Sequence, residues 1–421
     1  MNKIEKIVYD SVKSAPWLKF IIRNLYQTVF DLLPRKKEFS VAPIEYKEGY
    51  FFGFHDKTPF SFDNSKVLAN SFDIPLRMPT NDEALTVGYF NFSNGKLGDF
   101  VKVSNSFAWN YHKGCRLQWL NNSNLIFNSA FDGKLISKIV NINSMDETII
   151  NYPIDTVSND GFWATSFSYE RLHELMPGYG YNYKDEGCLK ENLSKKTGLF
   201  LVDLVNNKRE LLVSFYDLVI KTNLDSSVKN FRHYVTHSEF SVDGRYISFL
   251  HRWTLDDIRD RTTNLVIYDL QDKKYIVAPT EGMVSHYVWN SNNQIIAYCT
   301  VEGQDCHVLF NVPNIDDYKK VVPSILNSDG HQSFITPSTF VTDMYPDRYR
   351  NSKIYKVDIV SDEVELLASV YSPKKYQTKD FKNHIACDLH PRVAPNSKYI
   401  SFDSVKTGKR SLCIMRIQDF N

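Results

Sequence analysis

Between His237 and Val393 one pattern occurs four times: HSEF from His237, HYVW from His286, HQSF from His331 and HPRV from His390. Each copy sets a histidine three residues before an apolar residue, and alternating or apolar runs follow (YISFL 246–250, IIAY 295–298, YISF 399–402). Side chains alternate across a strand with a period of two, so a fixed register aims every copy of the histidine the same way. Read backwards, KTPFSFDNSKVLA (57–69) fits HSEFSVDGRYISF (237–249) with Lys57 in the histidine slot. RLQWLNNSNLIF (116–127) fits with Arg116, and IDTVSNDGFWATSF (154–167) fits with Ile154. Seven units therefore start near 57, 116, 154, 237, 286, 331 and 390, separated by 59, 38, 83, 49, 45 and 59 residues.

A four-stranded propeller blade takes roughly 40–50 residues, so the spacing predicts an all-β, seven-bladed β-propeller. The 83-residue interval then holds an insertion at about 168–197. GLFLVDLVNNKRELLVSF (198–215), TNLVIYDLQDKKYIVAP (263–279) and SKIYKVDIVSDEVELLAS (352–369) each read as two strands around a polar turn, the outer hairpin of a blade. The last unit is short, and a strand near 45–54 is expected to complete its sheet and close the ring. No Pro/Gly/Ser linker divides the β region, which leaves one propeller domain over 41–421 and an N-terminal segment over 1–40.

That segment carries apolar residues at helical spacing, Ile4, Ile7 and Val8 among them, with Lys3, Lys6, Lys13, Lys19 and Arg23 between. An amphipathic helical appendage is expected over 1–37, docking on a membrane surface, on a protein partner or on the propeller's own flank. No signal peptide or transmembrane span is evident, and six cysteines without a CxxC pair suit a reduced, cytoplasmic protein. The net charge of +1 gives no global attraction to nucleic acid.

Equivalent slots on successive blades form a ring around the channel. Here the ring is Lys57, Arg116, Ile154, His237, His286, His331 and His390. Converging neutral imidazoles suit a divalent transition metal such as Mn, Fe, Ni or Zn, and Lys57 and Arg116 opposite suit a carboxylate or phosphate. The insertion YERLHELMPGYGYNYKDEGC (169–188) offers Arg171 and His173 as substrate contacts at the channel mouth. HRWTLDDIRDR (251–261) and DMYPDRYR (343–350) add Arg252, Arg261, Asp343, Asp347 and Arg348 as rim residues. His55, His233, His251 and His384 stand outside the register and are read as structural. The chain has no Walker A, GxSxG or HExxH motif and no GxGxxG after a strand.

SVDGRYISF (241–249) and APNSKYISFDS (394–404) resemble the repeats of TolB-type propellers. DGHQS (329–333) and DLHPRVAPNSKYISF (388–402) resemble the histidine-opened repeats of oligogalacturonate lyase, over about the last 190 residues. FGFHDKTPFS (52–61), GCRLQWL (114–120), RLHELMPGYGY (171–181) and DMYPDR (343–348) resemble bacterial propellers found with surface-polysaccharide genes. The lyase resemblance implies manganese on His286, His331 and His390, with His237 as the base that removes a uronate C5 proton. The implied enzyme is a carbon–oxygen lyase acting on an acidic oligosaccharide or polysaccharide, with Lys57, Arg116, Arg171, Arg252 and Arg348 among the substrate contacts and His173 beside them. Alternatives are a uronate epimerase, or a noncatalytic glycan-binding or scaffold propeller in surface-polysaccharide assembly. In the lyase family a glutamine ligand precedes the third histidine slot; here Ser328 and Asp329 stand there and Gln332 follows.

Overall fold

Each repeat folds back on itself through a turn that its own side chains hold. In the fourth unit Ser241 Oγ donates to Asp243 Oδ1 (2.6 Å), which also accepts from Arg245 N (3.0 Å), while Tyr246 N donates to Ser241 Oγ. Ser61 and Asp63 make the same turn in the first unit, and Ser158 and Asp160 in the third. Such Asx and Ser turns replace ladder bonds where the chain reverses, and the positive φ they need falls on Gly244 and Gly161.

A computed structural model describes residues 21–22, 38–255, 260–376 and 383–418. The hairpins stack into seven sheets, the blades of a β-propeller. The first comprises Tyr50–Phe51, Lys66–Ser71, Leu85–Ser93 and Lys96–Ser106; the second Gln118–Trp119, Asn124–Phe131, Lys134–Asn141 and Glu147–Ile150. In the third, the inner strand shrinks to a single Val157–Ala164 bridge before Trp163–Ser166, Gly198–Asp203 and Lys208–Ser214. The fourth and fifth have inner strands Arg232–Phe240 and Val284–Trp289. The sixth starts at Gln332–Thr336, gains Phe39–Ser40 on its outer edge, and is followed by the seventh from Arg392–Val393.

The ring closes through Ile44–Glu48, which pairs antiparallel with Ser411–Arg416 from Ile44 opposite Met415 to Glu48 opposite Ser411. The closing strand is thus shorter than the 45–54 expected, because Tyr50 and Phe51 already pair with Ser71 and Asn70 of the first blade. The N-terminal helix expected over 1–37 lies outside the described residues except for positions 21–22. No helix among the described residues is long and apolar enough to cross a membrane.

The insertion in the third blade spans the turn between its second and third strands. It opens on α1 (Tyr169–Leu175), capped by Ser168 Oγ accepting from Arg171 N (2.9 Å). The PGYGY turn then folds back so tightly that a Cβ on Gly180 would lie 2.2 Å from His173 N, and one on Gly178 2.3 Å from His384 Cβ.

Apolar faces of neighbouring blades pack together, with Phe51, Val67, Leu125, Phe249, Ile295, Val341 and Phe402 among the fully buried side chains. Tryptophans three residues after the slot reach back to the preceding blade: Trp119 Nε1 donates to Pro59 O and Trp289 Nε1 to Ser248 Oγ. Nearer the axis the joints are polar. Asp403 of the seventh blade accepts from Phe52 N and Gly53 N of the first (both 3.0 Å) and from Arg392 (3.1 Å).

Asp403 is fully buried, so Asp403→Ala strands a guanidinium and two amides at the closing joint. The expected cost is about 3–5 kcal/mol in urea unfolding; a loss under about 1 kcal/mol, the range of an exposed ion pair, would show that the joint does not depend on this carboxylate.

Candidate metal and acid–base site

The inner strands do not run straight past the channel. Register breaks fall between Thr236 and Glu239 in the fourth blade and between Val284 and Tyr287 in the fifth. Arg116, His237 and His390, which share one slot, all adopt positive φ (57°, 54° and 48°). A bulge re-aims a side chain, and non-glycine residues hold such φ only where their surroundings enforce it. The bulges bring the imidazoles together around Phe54, whose ring centroid lies 4.8 Å from His237, 5.9 Å from His286, 6.2 Å from His331 and 5.2 Å from His390. His331 lies 4.1 Å from His286 and 4.2 Å from His390. His237 stands 6.2 Å from His286.

The outer nitrogens of the three close rings are anchored. His286 Nδ1 lies 3.0 Å from Asp329 Oδ1, His331 Nδ1 lies 2.8 Å from Asp343 Oδ1, and His390 Nδ1 donates to Gly53 O (2.7 Å). Asp343 also accepts from the backbone amides of His331 (2.8 Å) and His390 (2.9 Å). A histidine whose Nδ1–H is held by a carboxylate or carbonyl presents the lone pair of Nε2, the arrangement found behind metal-bound imidazoles. The Nε2 atoms of His237, His331 and His390 are buried and have no hydrogen-bond partner. Nδ1-anchored imidazoles are ligands of the kind a divalent transition cation takes.

Charge follows the anchors. Burial, reinforced by neighbouring cationic groups, holds His237 and His390 well below the ordinary imidazole range, and burial also lowers His286. Burial acts against charge on His331 too, but the carboxylates of Asp343, Asp388 and Asp329, Asp343 foremost, together outweigh it and raise that pKa. Asp329, despite its burial, is held down to about 2 by His286.

The other expected contacts are placed differently. Arg116 grips Asp56 with two nitrogens (3.0 and 2.6 Å) and lies 3.0 Å from Asp155, which also pairs with Lys113 (2.9 Å). Its charge is spent inside the protein. Lys57 is partly exposed, and Ile154 is buried in an apolar cluster. Arg171 donates to the carbonyls of His233, Gly187, Cys188, Glu191 and Asn192, so it ties the insertion together. His173 packs on α1 against the PGYGY turn, and Arg348 is exposed beside Tyr349. Arg252 differs: it is 2% exposed, no carboxylate among the described residues pairs with it, its Nε has no partner among them, and its contacts include Met176 Sδ (3.1 Å) and Val284 O (3.4 Å).

Several residues of the centre were not in the slot register. His55 lies 5.1 Å from His331 and 5.5 Å from His286, and its Nδ1 donates to Gln332 O. His112 lies 4.9 Å from His390 and 2.7 Å from the Tyr179 hydroxyl. Asp343, expected on the rim, anchors the His331 ring and the His390 backbone amide. Gln332 is turned to His307 (2.9 Å), away from the glutamine position that the resemblance implied. The signal in the sequence was Gly53 and Gly114, which flank His55 and His112 and take positive φ where the two inner strands meet.

The fold is similar to that of solved propellers. An oligogalacturonate lyase from Vibrio parahaemolyticus aligns with a TM-score of 0.58 at 11% identity, over 92% of this chain and 99% of that one. An oligogalacturonate lyase in complex with manganese gives 0.46 at 12% identity over 92% and 99%. TolB from Acinetobacter baumannii gives 0.39 at 12% identity over 83% and 80%. The chain is a seven-bladed propeller, an architecture that serves unrelated activities. No family model matches it, and no curated protein matches it by sequence.

Asp343→Asn removes the foremost of the charges that raise His331, so the NMR titration of that ring is expected to move to lower pH; an unmoved titration would break the assignment of Asp343 as its anchor. Burial pushes the Glu239 carboxyl up to about 8. The unfolded chain releases this proton near pH 4.3 and the folded protein keeps it until about 8, so the Glu239 contribution to stability falls as pH rises across that window. Melting curves of Glu239→Gln should show a shallower alkaline loss, and an equal loss in both proteins would remove Glu239 as its source.

Proposed function

We propose that the protein is a divalent-metal-dependent lyase that cleaves a uronate-containing glycan by taking the C5 proton and eliminating the sugar at C4. The observation that carries this reading is the pairing of three Nδ1-anchored imidazoles with a fourth, His237, whose Nε2 is buried and unbonded. His286, His331 and His390 are the nitrogens that would hold manganese or a similar cation. Bound there, the cation supplies positive charge to the uronate carboxylate and so stabilises the enolate-like charge that develops beside it.

The remaining work falls to this chain's own residues. His237 is neutral near pH 7 because burial lowers its pKa, so its Nε2 accepts the C5 proton. The C5–H electron pair becomes the C4–C5 double bond, the C4–O bond breaks, and the departing oxygen takes a proton from water. Arg252 brings to the same region a buried guanidinium that no carboxylate among the described residues pairs with, and a second uronate carboxylate would complete it. The acid-sugar substrate also agrees with the repeats that resemble oligogalacturonate lyase.

Incubation with uronate oligosaccharides and Mn²⁺ is expected to yield unsaturated ends that absorb in the near ultraviolet. His237→Ala is expected to lower the rate by about 10²–10⁴. Arg252→Met is expected to raise KM more than it lowers kcat. Failure of every acidic glycan to be cut, together with no metal copurifying with the protein, would end the lyase reading and leave a binding propeller.

A further inference from the structure

On the flank of His390 away from His286, a second set of donors converges. His112, Asp388 and His390 each offer a ligand atom, and these atoms lie within 4.8 Å of one another. His112 and His390 are each only 2% exposed. The two nitrogens concerned, His112 Nδ1 and His390 Nε2, are both buried without a hydrogen-bond partner. The far nitrogen of each ring is occupied: His112 Nε2 lies 2.7 Å from the Tyr179 hydroxyl, and His390 Nδ1 donates to Gly53 O. No side chain among the described residues hydrogen-bonds the Asp388 carboxylate, whose nearest cationic-capable group, His112 Nδ1, is 3.9 Å away. That gap is too long for a hydrogen bond.

Two imidazole lone pairs and one carboxylate on one face form a 2-His-1-carboxylate set, which leaves open positions on a six-coordinate ion. The carboxylate favours Mn²⁺ or Fe²⁺ over softer ions, and the outer partners Tyr179 and Gly53 hold both rings in the ligating orientation. We infer that His112 Nδ1, the Asp388 carboxylate and His390 Nε2 form a second seat for a divalent cation, and that this seat is the one a hard cation takes. His390 Nε2 is common to this set and to the set with His286 and His331, so the two seats are alternatives for one ion. The inference rests on the metal-dependent reading above and assigns the cation to the Asp388 side. It also gives Tyr179, from the PGYGY turn, a positioning role: its hydroxyl fixes the His112 tautomer whose Nδ1 faces the ion.

The test is Mn²⁺ binding to metal-free, full-length protein, read as loss of the free-ion EPR signal, with circular dichroism melts confirming that each variant is folded. Asp388→Asn and His112→Gln are expected to weaken binding by at least about tenfold, and by more than His286→Gln does. Asp388→Cys loaded with Co²⁺ is expected to gain a cobalt–thiolate charge-transfer band, a signal that no general loss of stability imitates. Tight Mn²⁺ binding by Asp388→Asn with loss in His286→Gln, or bound Co²⁺ without the band in Asp388→Cys, overturns the inference and leaves the metal-dependent reading in place. A parent protein that binds no Mn²⁺ overturns both.

Discussion

Asp343 joins two blades with one carboxylate and aims the His331 imidazole. It accepts from the backbone amides of His331 in the sixth blade and His390 in the seventh, and from His331 Nδ1. Hydrogen bonds to a charged group contribute about 1.5–3 kcal/mol each, and the buried amides would otherwise be unsatisfied. The same device recurs around the ring: Asn128 holds Ile154 of the next blade through both its amide atoms, Asp155 accepts from Ser238 N, and Asp403 holds Phe52 and Gly53. Blades meet through side chains and not through strand pairing, so near the axis polar side chains do the joining. Ring and site are therefore built from the same atoms, and the histidines cannot be repositioned without loosening the blades.

Burial, with cationic neighbours adding to it, favours the neutral form of His237 and His390, and burial does the same for His286, while His331 is shifted the other way by the carboxylates around it. Across the channel Lys113, Arg116, Asp56 and Asp155 balance one another in a closed network. Arg252 has no such balancing carboxylate among the described residues.

The blades were legible because a turn such as SVDG between two apolar runs repeats with little change, and the slot is tied to that turn by strand register. His237, His286, His331 and His390 could be read for this reason. His55 and His112 could not, since the inner strands of the first two blades break at Gly53 and at the tight Asn110–Gly114 turn, which shifts those rings out of register. Lys57 and Arg116 did occupy the slot, yet a sequence does not show that Asp56 and Asp155 lie close enough to neutralise the arginine. Arg171 looked like a substrate contact for a similar reason. Its charge was visible, but the five carbonyls that absorb it come together only in the folded insertion.

The joint between the seventh and first blades brings together residues made early and late in synthesis. Asp403 and Phe52 are 351 positions apart, and Gly53, whose carbonyl orients His390, sits at the same joint. A chain emerging from the ribosome holds its first blade unpaired at this edge until almost all the rest has been made. The imidazole centre cannot assemble before the ring shuts, so a chain that lacks either edge of this joint has no means of arranging those rings.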